Sequence, residues 1–510
     1  MMRPVMGLTR RLALSVVAVA CIAGFSLPFV ATAPPAAADT APINGGGSGF
    51  AALEIDQWRA DTARKPYSLH VNYVSQGSSF GREQFTSGNL DFGASDIVYL
   101  PEELPDLQAH RCGGADVSTC FVYVPVSAGG LSLMFNLTDG SGNRVSDVKL
   151  TRRAACKIFT GAIAKWNDPE IVATNPDLAG FDRNIRPVIR GDGAGESYVL
   201  SEFCIAVAPD VWQAFIQDRI ANDPSNISDE FRAGHPVSNW PQGFGNSTNA
   251  LYADGVANLV ADPVTGTDSV TYVAAGYAKV RDFPVASLEN AAHQFTQPDE
   301  ENVTVALGYA TGRGDGTFVL NFDGPDPRSY FPSTYSYILA QTGGFDASKG
   351  ATLGQFLCYA VSKGQEIAPD LRYARLSSAL VDIAISAIVR IPGAPTKDNC
   401  VVAGSAAPPP PPQVGGGGGG GGGGTQAAAG ANTATTSASA TDATGTASGS
   451  DLVDANGNPI ITTGPGGVPV LATTSAERGP SNREAAWAVI QGAAVCAIGS
   501  SLIGRRRRAS

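Results

Sequence analysis

Histidine is scarce in this sequence: four residues, His70, His110, His235 and His293, are spread over 510 positions. No two sit at metal-ligand spacing, and no Cys-x-x-Cys pair is present, so neither a zinc site nor any other cofactor is expected. The same scarcity leaves no histidine beside Ser78-Ser79 to act as a base, which argues against a serine-dependent hydrolase. Charge is thin as well, at 16 % of residues, and it leans acidic: 35 basic against 46 acidic side chains leave a net charge of −11. Nucleic acid demands a basic face, so a nucleic-acid partner is excluded. A small anionic ligand is not, because backbone N–H groups and helix starts make local positive sites without net charge.

What the chain has in excess is glycine, 60 residues, but these are unevenly spread. Pro408–Pro412 and ten consecutive glycines, Gly415–Gly424, open a tract over 402–480 that continues in Ala, Thr and Ser. Such a tract buries too little apolar surface to pack, so a disordered stalk is expected there. Both ends carry apolar runs. Arg3, Arg10 and Arg11 precede the apolar Leu12–Val30 and the small-residue stretch Ala36-Ala37-Ala38. This is the layout of an export signal over 1–38, with an uncleaved membrane anchor as the alternative. At the other end, 485–504 has membrane-spanning length and is followed by the basic stop Arg505–Arg508, so a C-terminal transmembrane helix with the body outside is expected. Leu471-Ala472-Thr473-Thr474-Ser475 just before it resembles a sortase signal with Ser475 in place of Gly, which leaves wall anchoring open.

Six of the eight cysteines fall in the body: Cys112, Cys120, Cys156, Cys204, Cys358 and Cys400. An even set in an exported chain points to three disulfides, for which sequence alone allows fifteen connectivities. The sequential pairing, Cys112–Cys120, Cys156–Cys204 and Cys358–Cys400, is favoured. Across 44–400, strand-like runs (Leu69–Val74, Phe92–Leu100) alternate with helix-like ones (Ala154–Trp166, Ser197–Val207, Leu376–Ile391). That alternation reads as α/β layers, and the length calls for two lobes.

Three segments share one design, a small-residue turn leading into a helix: Asn44–Phe50, Gln76–Gly81 and Arg190–Ser197. A helix start offers unpaired N–H groups and the positive end of the helix dipole, and glycine lets the backbone approach a ligand. Three such starts aimed at one point, with Arg190, would make a dry anion cage. The run Asn72-Tyr73, Gly77-Ser78-Ser79 and Asp91-Phe92-Gly93-Ala94-Ser95-Asp96 resembles the phosphate-binding proteins of bacterial phosphate ABC importers. So do Ile158-Phe159-Thr160-Gly161, Lys165-Trp166-Asn167-Asp168, Arg190-Gly191-Asp192-Gly193-Ala194-Gly195, Trp240-Pro241 with Gly243, and Gly276-Tyr277-Ala278-Lys279. The likeness covers 44–395.

The resemblance implies an α/β, two-lobed type II periplasmic-binding-protein fold with the ligand between the lobes. Lobe I would be 44–125 with 330–400, and lobe II 126–329. It also implies roles. The Phe50 amide and the Ser78 amide and hydroxyl would donate to the anion. Asp96 would accept a proton from a protonated oxyanion, which selects phosphate over sulfate. Arg190 would form a charge-assisted pair, and the Gly195 amide with its neighbours would complete the cage. The partners implied are phosphate or another small oxyanion and an ABC permease, with a monomeric body on the outer face of the membrane or in the wall. The chain departs from the family pattern at Gly49, where Thr is usual, and at Ala194 and Glu196, where Ser and Thr are usual. Three donor hydroxyls are thereby absent. The Glu196 carboxylate would repel an oxyanion unless it is protonated, swung away or paired with Arg190. A displayed module of the same fold with a different ligand is the rival reading, and a phosphatase a weaker one; an enzyme is not expected. Arg313-Gly314-Asp315 is too short to carry an adhesion reading.

Overall fold

A computed structural model describes residues 41–400 and two short strands, Thr462–Thr463 and Pro469–Val470, which pair antiparallel. That pair falls inside the stretch expected to lack structure. The export signal (1–38), the sorting-like Leu471–Ser475, the terminal apolar run and its arginines lie outside the described residues, as does most of the stalk.

The body is built on one mixed sheet. Strand β1 (Ile43–Gly47) leads through a turn into helix α1 (Ala52–Thr62). β2 (Val71–Ser75), α2 (Ser78–Thr86) and β3 (Phe92–Ser95) follow. β1 lies between β2 and β3, parallel to both. The sequence reading placed a turn over Asn44–Phe50, whereas Asn44–Gly47 is strand and only the residues after it turn. The glycines there serve close packing: a Cβ on Gly45 would sit 2.0 Å from the Phe92 ring. Glycine inside a strand marks such an approach as often as a turn.

The strand that organises everything else is β4 (Phe121–Asn136), buried along its whole length. Burial on both faces removes the alternation that betrays a half-exposed strand, and this run was not among those singled out in the sequence. Further on come α3 (Arg152–Phe159), β5 (Arg186–Arg190), α4 (Gly195–Val207), β6 (Thr248–Ala250), α5 (Tyr252–Ala261) and β7 (Ser269–Ala274). The sheet closes with β8 (Ser333–Gln341), backed by α6 (Ala347–Ala360) and α7 (Ser378–Ile388). Strand order is β2-β1-β3-β8-β4-β7-β5-β6. β4 pairs antiparallel with β8 through Gly130, then with β7 from Leu131 onward. One strand therefore belongs to two half-sheets. At the changeover a Cβ on Gly129 would meet the rings of Phe50 and Tyr373 at 2.9 Å, so aromatic side chains wedge the crossing.

The helix expected over Ala154–Trp166 stops at Phe159, because Gly161 takes a left-handed φ of 78°. The one expected over Leu376–Ile391 begins at Ser378, capped by the Ser377 hydroxyl, which accepts from Leu380 N at 3.3 Å. No single described helix is long and apolar enough to cross a membrane. Disulfides join Cys112 to Cys120, Cys156 on α3 to Cys204 on α4, and Cys358 on α6 to Cys400.

One carboxyl of the core has no charge partner. Glu54 on α1 is wholly buried against β4, takes one hydrogen bond from the Ser127 hydroxyl and leaves Oε1 without a partner. Burial outweighs that hydrogen bond and pushes its pKa from 4.5 up to about 8. The folded chain thus holds a proton that the unfolded chain has released. Stability therefore falls as pH rises between those two values, by about 1.4 kcal/mol per pH unit from this group. In urea unfolding across that range, Glu54→Gln should remove this part of the slope and be the more stable protein at the alkaline end. A second expectation concerns α3 and α4: replacing Cys156 and Cys204 by Ala opens a loop of 48 residues and should cost about 4 kcal/mol, read as a lower urea midpoint.

Candidate functional site

Three helix starts come together where the half-sheets meet, and none is closed by the side chain of its own N-cap residue. α1 opens after Ser48-Gly49-Phe50-Ala51, with the Ser48 hydroxyl taking the Ala51 N–H at 3.1 Å. α2 opens after Gly77, whose φ of 92° only glycine adopts readily. α4 opens after Ala194. The first two belong to the β1–β3 half-sheet and the third to the β5–β7 half-sheet. They touch: Ser79 N donates to Gly193 O at 3.0 Å, and the Tyr277 hydroxyl donates to Gly49 O at 2.8 Å. Glycine makes the approach possible, since a Cβ on Gly195 would fall 2.4 Å from Asp96 Oδ2 and 2.5 Å from Ser78 Oγ.

The residues singled out in the sequence meet here. Asp96, just past β3 and 3 % exposed, accepts from the Ser48 and Ser336 hydroxyls at Oδ1 and from Ser78 Oγ at 2.9 Å at Oδ2. Ser78 Oγ in turn accepts from Asp96 N at 3.0 Å. A carboxylate offers about four acceptor positions, so three serine hydroxyls leave room for one more donor. Burial raises the Asp96 pKa; the hydrogen bonds from Ser336, Ser48 and Ser78, and then the charge of Arg190, pull the other way. Phe50 is buried, its ring edge-on to Tyr373 at 5.8 Å and its carbonyl accepting from the Tyr373 hydroxyl.

Arg190 ends β5 with no exposed surface. Two of its nitrogens grip Asp192, Nε to Oδ1 at 2.9 Å and Nη2 to Oδ2 at 2.5 Å. The third, Nη1, lies 2.7 Å from Glu196 Oε1, and Glu196 is also fully buried. The contact is electrostatic: neither Nη1 nor either Glu196 oxygen makes a hydrogen bond of good geometry. Of the three fates open to Glu196 in sequence, the structure shows the pairing with Arg190. Burial works against the Arg190 charge, but Glu196 and then Asp192 outweigh it and raise its pKa. For Glu196 burial prevails over Arg190, Asp96 adds to it, and the pKa rises from 4.5 to about 7. Ala194 is buried and donates its N–H to Ser238 O at 3.0 Å.

Sequence reasoning passed over Ser336, Asp192 and Tyr272 as site residues, and gave Ser48 no role. Asp192 and Ser48 stood inside the quoted loops, where acceptor and donor chemistry was on view. Ser336 lies 240 residues from the Asp96 it contacts, and no local pattern links them. The Tyr272 hydroxyl, from β7, accepts Arg190 N at 3.1 Å and lies 2.8 Å from Ser197 Oγ. Tyr272 thereby fixes the backbone of Arg190 to the first turn of α4.

Residues 31–363 match the model of a PBP superfamily domain. Among curated proteins, the phosphate-binding protein PstS of Haemophilus influenzae is 30% identical over 342 residues, 66% of this chain and 90% of that protein. The PstS of Xylella fastidiosa is 29% identical over 357 residues, 69% of this chain and 86% of its own length. Among solved structures, the ancestral soluble variant of the Human Phosphate Binding Protein superposes with a TM-score of 0.51 at 14% identity, over 71% of this chain and 98% of that one, a likeness of fold. The chain belongs to the PBP superfamily and, within it, to the PstS family.

Proposed function

We propose that this chain is an exported solute-binding protein that captures phosphate, or a closely similar small oxyanion, and delivers it to an ABC permease. One observation carries the reading. A guanidinium with no exposed surface, held by Asp192 through two nitrogens, is buried with the Asp96 carboxylate, whose ionisation its charge favours, where three helix starts from two half-sheets meet. Such a set can solvate an oxyanion with fixed dipoles and one charge while excluding water. In this reading Phe50, Ser78 and Gly195 supply main-chain donors, Gly49 and Ala194 line the cage, and Asp96 takes a proton from the ligand. Lobe I is 44–125 with 330–400 and lobe II 126–329, each carrying one wall of the groove. The protein acts as a monomer. Its first 38 residues direct export, 402–480 is a stalk, and 485–504 tethers the body to the membrane or precedes wall attachment.

The reading is one of binding rather than hydrolysis. The Ser78 hydroxyl is held between the Asp96 N–H and the Asp96 carboxylate, and no histidine joins that cluster to activate it.

Two outcomes are expected for the full chain. Inorganic phosphate should raise the melting temperature, and Arg190→Ala should abolish that rise; the variant should also melt lower without ligand, since an unpaired buried carboxylate costs about 3–5 kcal/mol. A ligand response that survives Arg190→Ala removes the assigned site. Gly195→Ala forces a methyl against Asp96 and Ser78 and should weaken phosphate binding by about 1–3 kcal/mol, roughly 5- to 150-fold by calorimetry.

A further inference from the structure

The departures at Gly49 and Glu196 face each other. A Cβ on Gly49 would lie 3.4 Å from Glu196 Oε1. Where the resemblance calls for a Thr side chain this chain has none, and the glutamate arm extends toward that gap. Its carboxylate lies beside the one Arg190 nitrogen that Asp192 does not engage. Arg190 Nη1 is in ion-pair contact with Oε1, and neither Glu196 oxygen makes a hydrogen bond of good geometry among the described residues. The other ionisable groups that feel Glu196 are Asp96 beyond β3, Asp192 beyond β5, and the phenols of Tyr73 on β2 and Tyr272 on β7. Tyr277 after β7 and Tyr373 near the crossing complete the set. No cation besides Arg190 stands among these groups.

The charges decide what such a site accepts. With all groups ionised, one guanidinium already faces three carboxylates. A doubly charged oxyanion would bring the negative charges to five, in a groove from which water is shut out. Each unscreened pair of like charges at contact distance costs about 4 kcal/mol even at an effective dielectric constant of about 20. A proton removes one of those charges and turns a repulsive oxygen–oxygen contact into a hydrogen bond. Asp96 has room for one ligand hydroxyl. Glu196, whose Oε1 faces Arg190 and whose Oε2 has no partner among the described residues, has room for another, or can itself carry the proton and donate.

We infer that this chain binds its oxyanion with one proton more than Asp96 alone requires, and that Glu196 is the residue that imposes it. The inference rests on the phosphate reading above. Hydrogen phosphate and one proton enter the groove, and a single O–H bond forms, at Glu196 or at a second ligand oxygen facing it. The two placements contain the same number of protons, so they predict the same pH dependence. The family's usual Thr would donate without demanding that proton. Glu196 would make the site favour dihydrogen phosphate over hydrogen phosphate and reject sulfate twice over. The raised pKa of Glu196, about 7 through burial, fits a group poised to carry this proton.

The test is calorimetric titration of the full chain and of Glu196→Gln with inorganic phosphate, from about pH 6 to about pH 8.5 and in two buffers of different ionisation enthalpy. In the unsubstituted protein the affinity should fall about tenfold per pH unit above neutrality, with one proton taken up per phosphate bound. Glu196→Gln should lose that slope and bind more tightly than the parent at the alkaline end. Equal slopes in the two proteins, or no proton uptake in the parent, overturn the assignment to Glu196 while phosphate binding stands. No heat with phosphate in either protein at any pH sinks the phosphate reading and this inference with it. Should the Gln variant not fold, Glu196→Thr carries the same comparison.

Discussion

Burying Arg190 at the end of β5 is a costly act, and much of the site can be read as its consequence. A guanidinium with no exposed surface needs anionic company, and two carboxylates supply it: Asp192, two residues on, through two hydrogen bonds, and Glu196, in the first turn of α4, by proximity. Asp192 in turn accepts from Tyr252 N at 2.8 Å, and the Arg190 carbonyl accepts from Gln242 Nε2 at 3.1 Å. The loop that carries the charge is thereby tied to α5 and to the Trp240 segment. What Asp192 leaves free is one face of the guanidinium, turned toward α4, and the chemistry of the groove depends on what shares that face.

The opposite wall is arranged with the same economy of charge. Asp96 is the ionisable candidate there, and it is surrounded by three serine hydroxyls. Hydroxyls stabilise a carboxylate without neutralising it, so the wall stays electronegative and favours a guest that brings hydrogen. Asp96 is contacted from before α1, from α2 and from β8, segments that lie up to 240 residues from it in sequence. That convergence is possible because β4 crosses from one half-sheet to the other and brings β8 alongside β3. Fold and site are linked at this strand: the crossing that joins the half-sheets also builds the pocket wall.

Much of this was legible in the sequence, and the gaps have physical reasons. Helix starts at Ser78 and Gly195 stood out because small residues before a helix carry a local signal, and the candidate residues of both loops cluster where these starts meet. The β1 glycines were misread because a glycine run signals a turn as strongly as it signals a ring packed on a strand. β4 escaped notice because burial on both faces erases periodicity. Ser336 could not have been found, since a lone serine within an apolar strand is ordinary until topology brings it to Asp96. Glu196 was the opposite case. Its identity raised the question of charge in sequence, and the position of Arg190 Nη1 answered it.

The central claim is that an oxyanion lies between Arg190 and Asp96, held by main-chain amides from both half-sheets. A crystal structure of the full chain grown with arsenate tests it directly, because arsenic scatters anomalously and marks its own position. The account predicts one strong anomalous peak within hydrogen-bond reach of Arg190 Nη1, Asp96 and the first amides of α2 and α4, with the Glu196 carboxyl moved or hydrogen-bonded to the anion. A peak elsewhere on the body, with Glu196 still seated alone against Arg190, would contradict it.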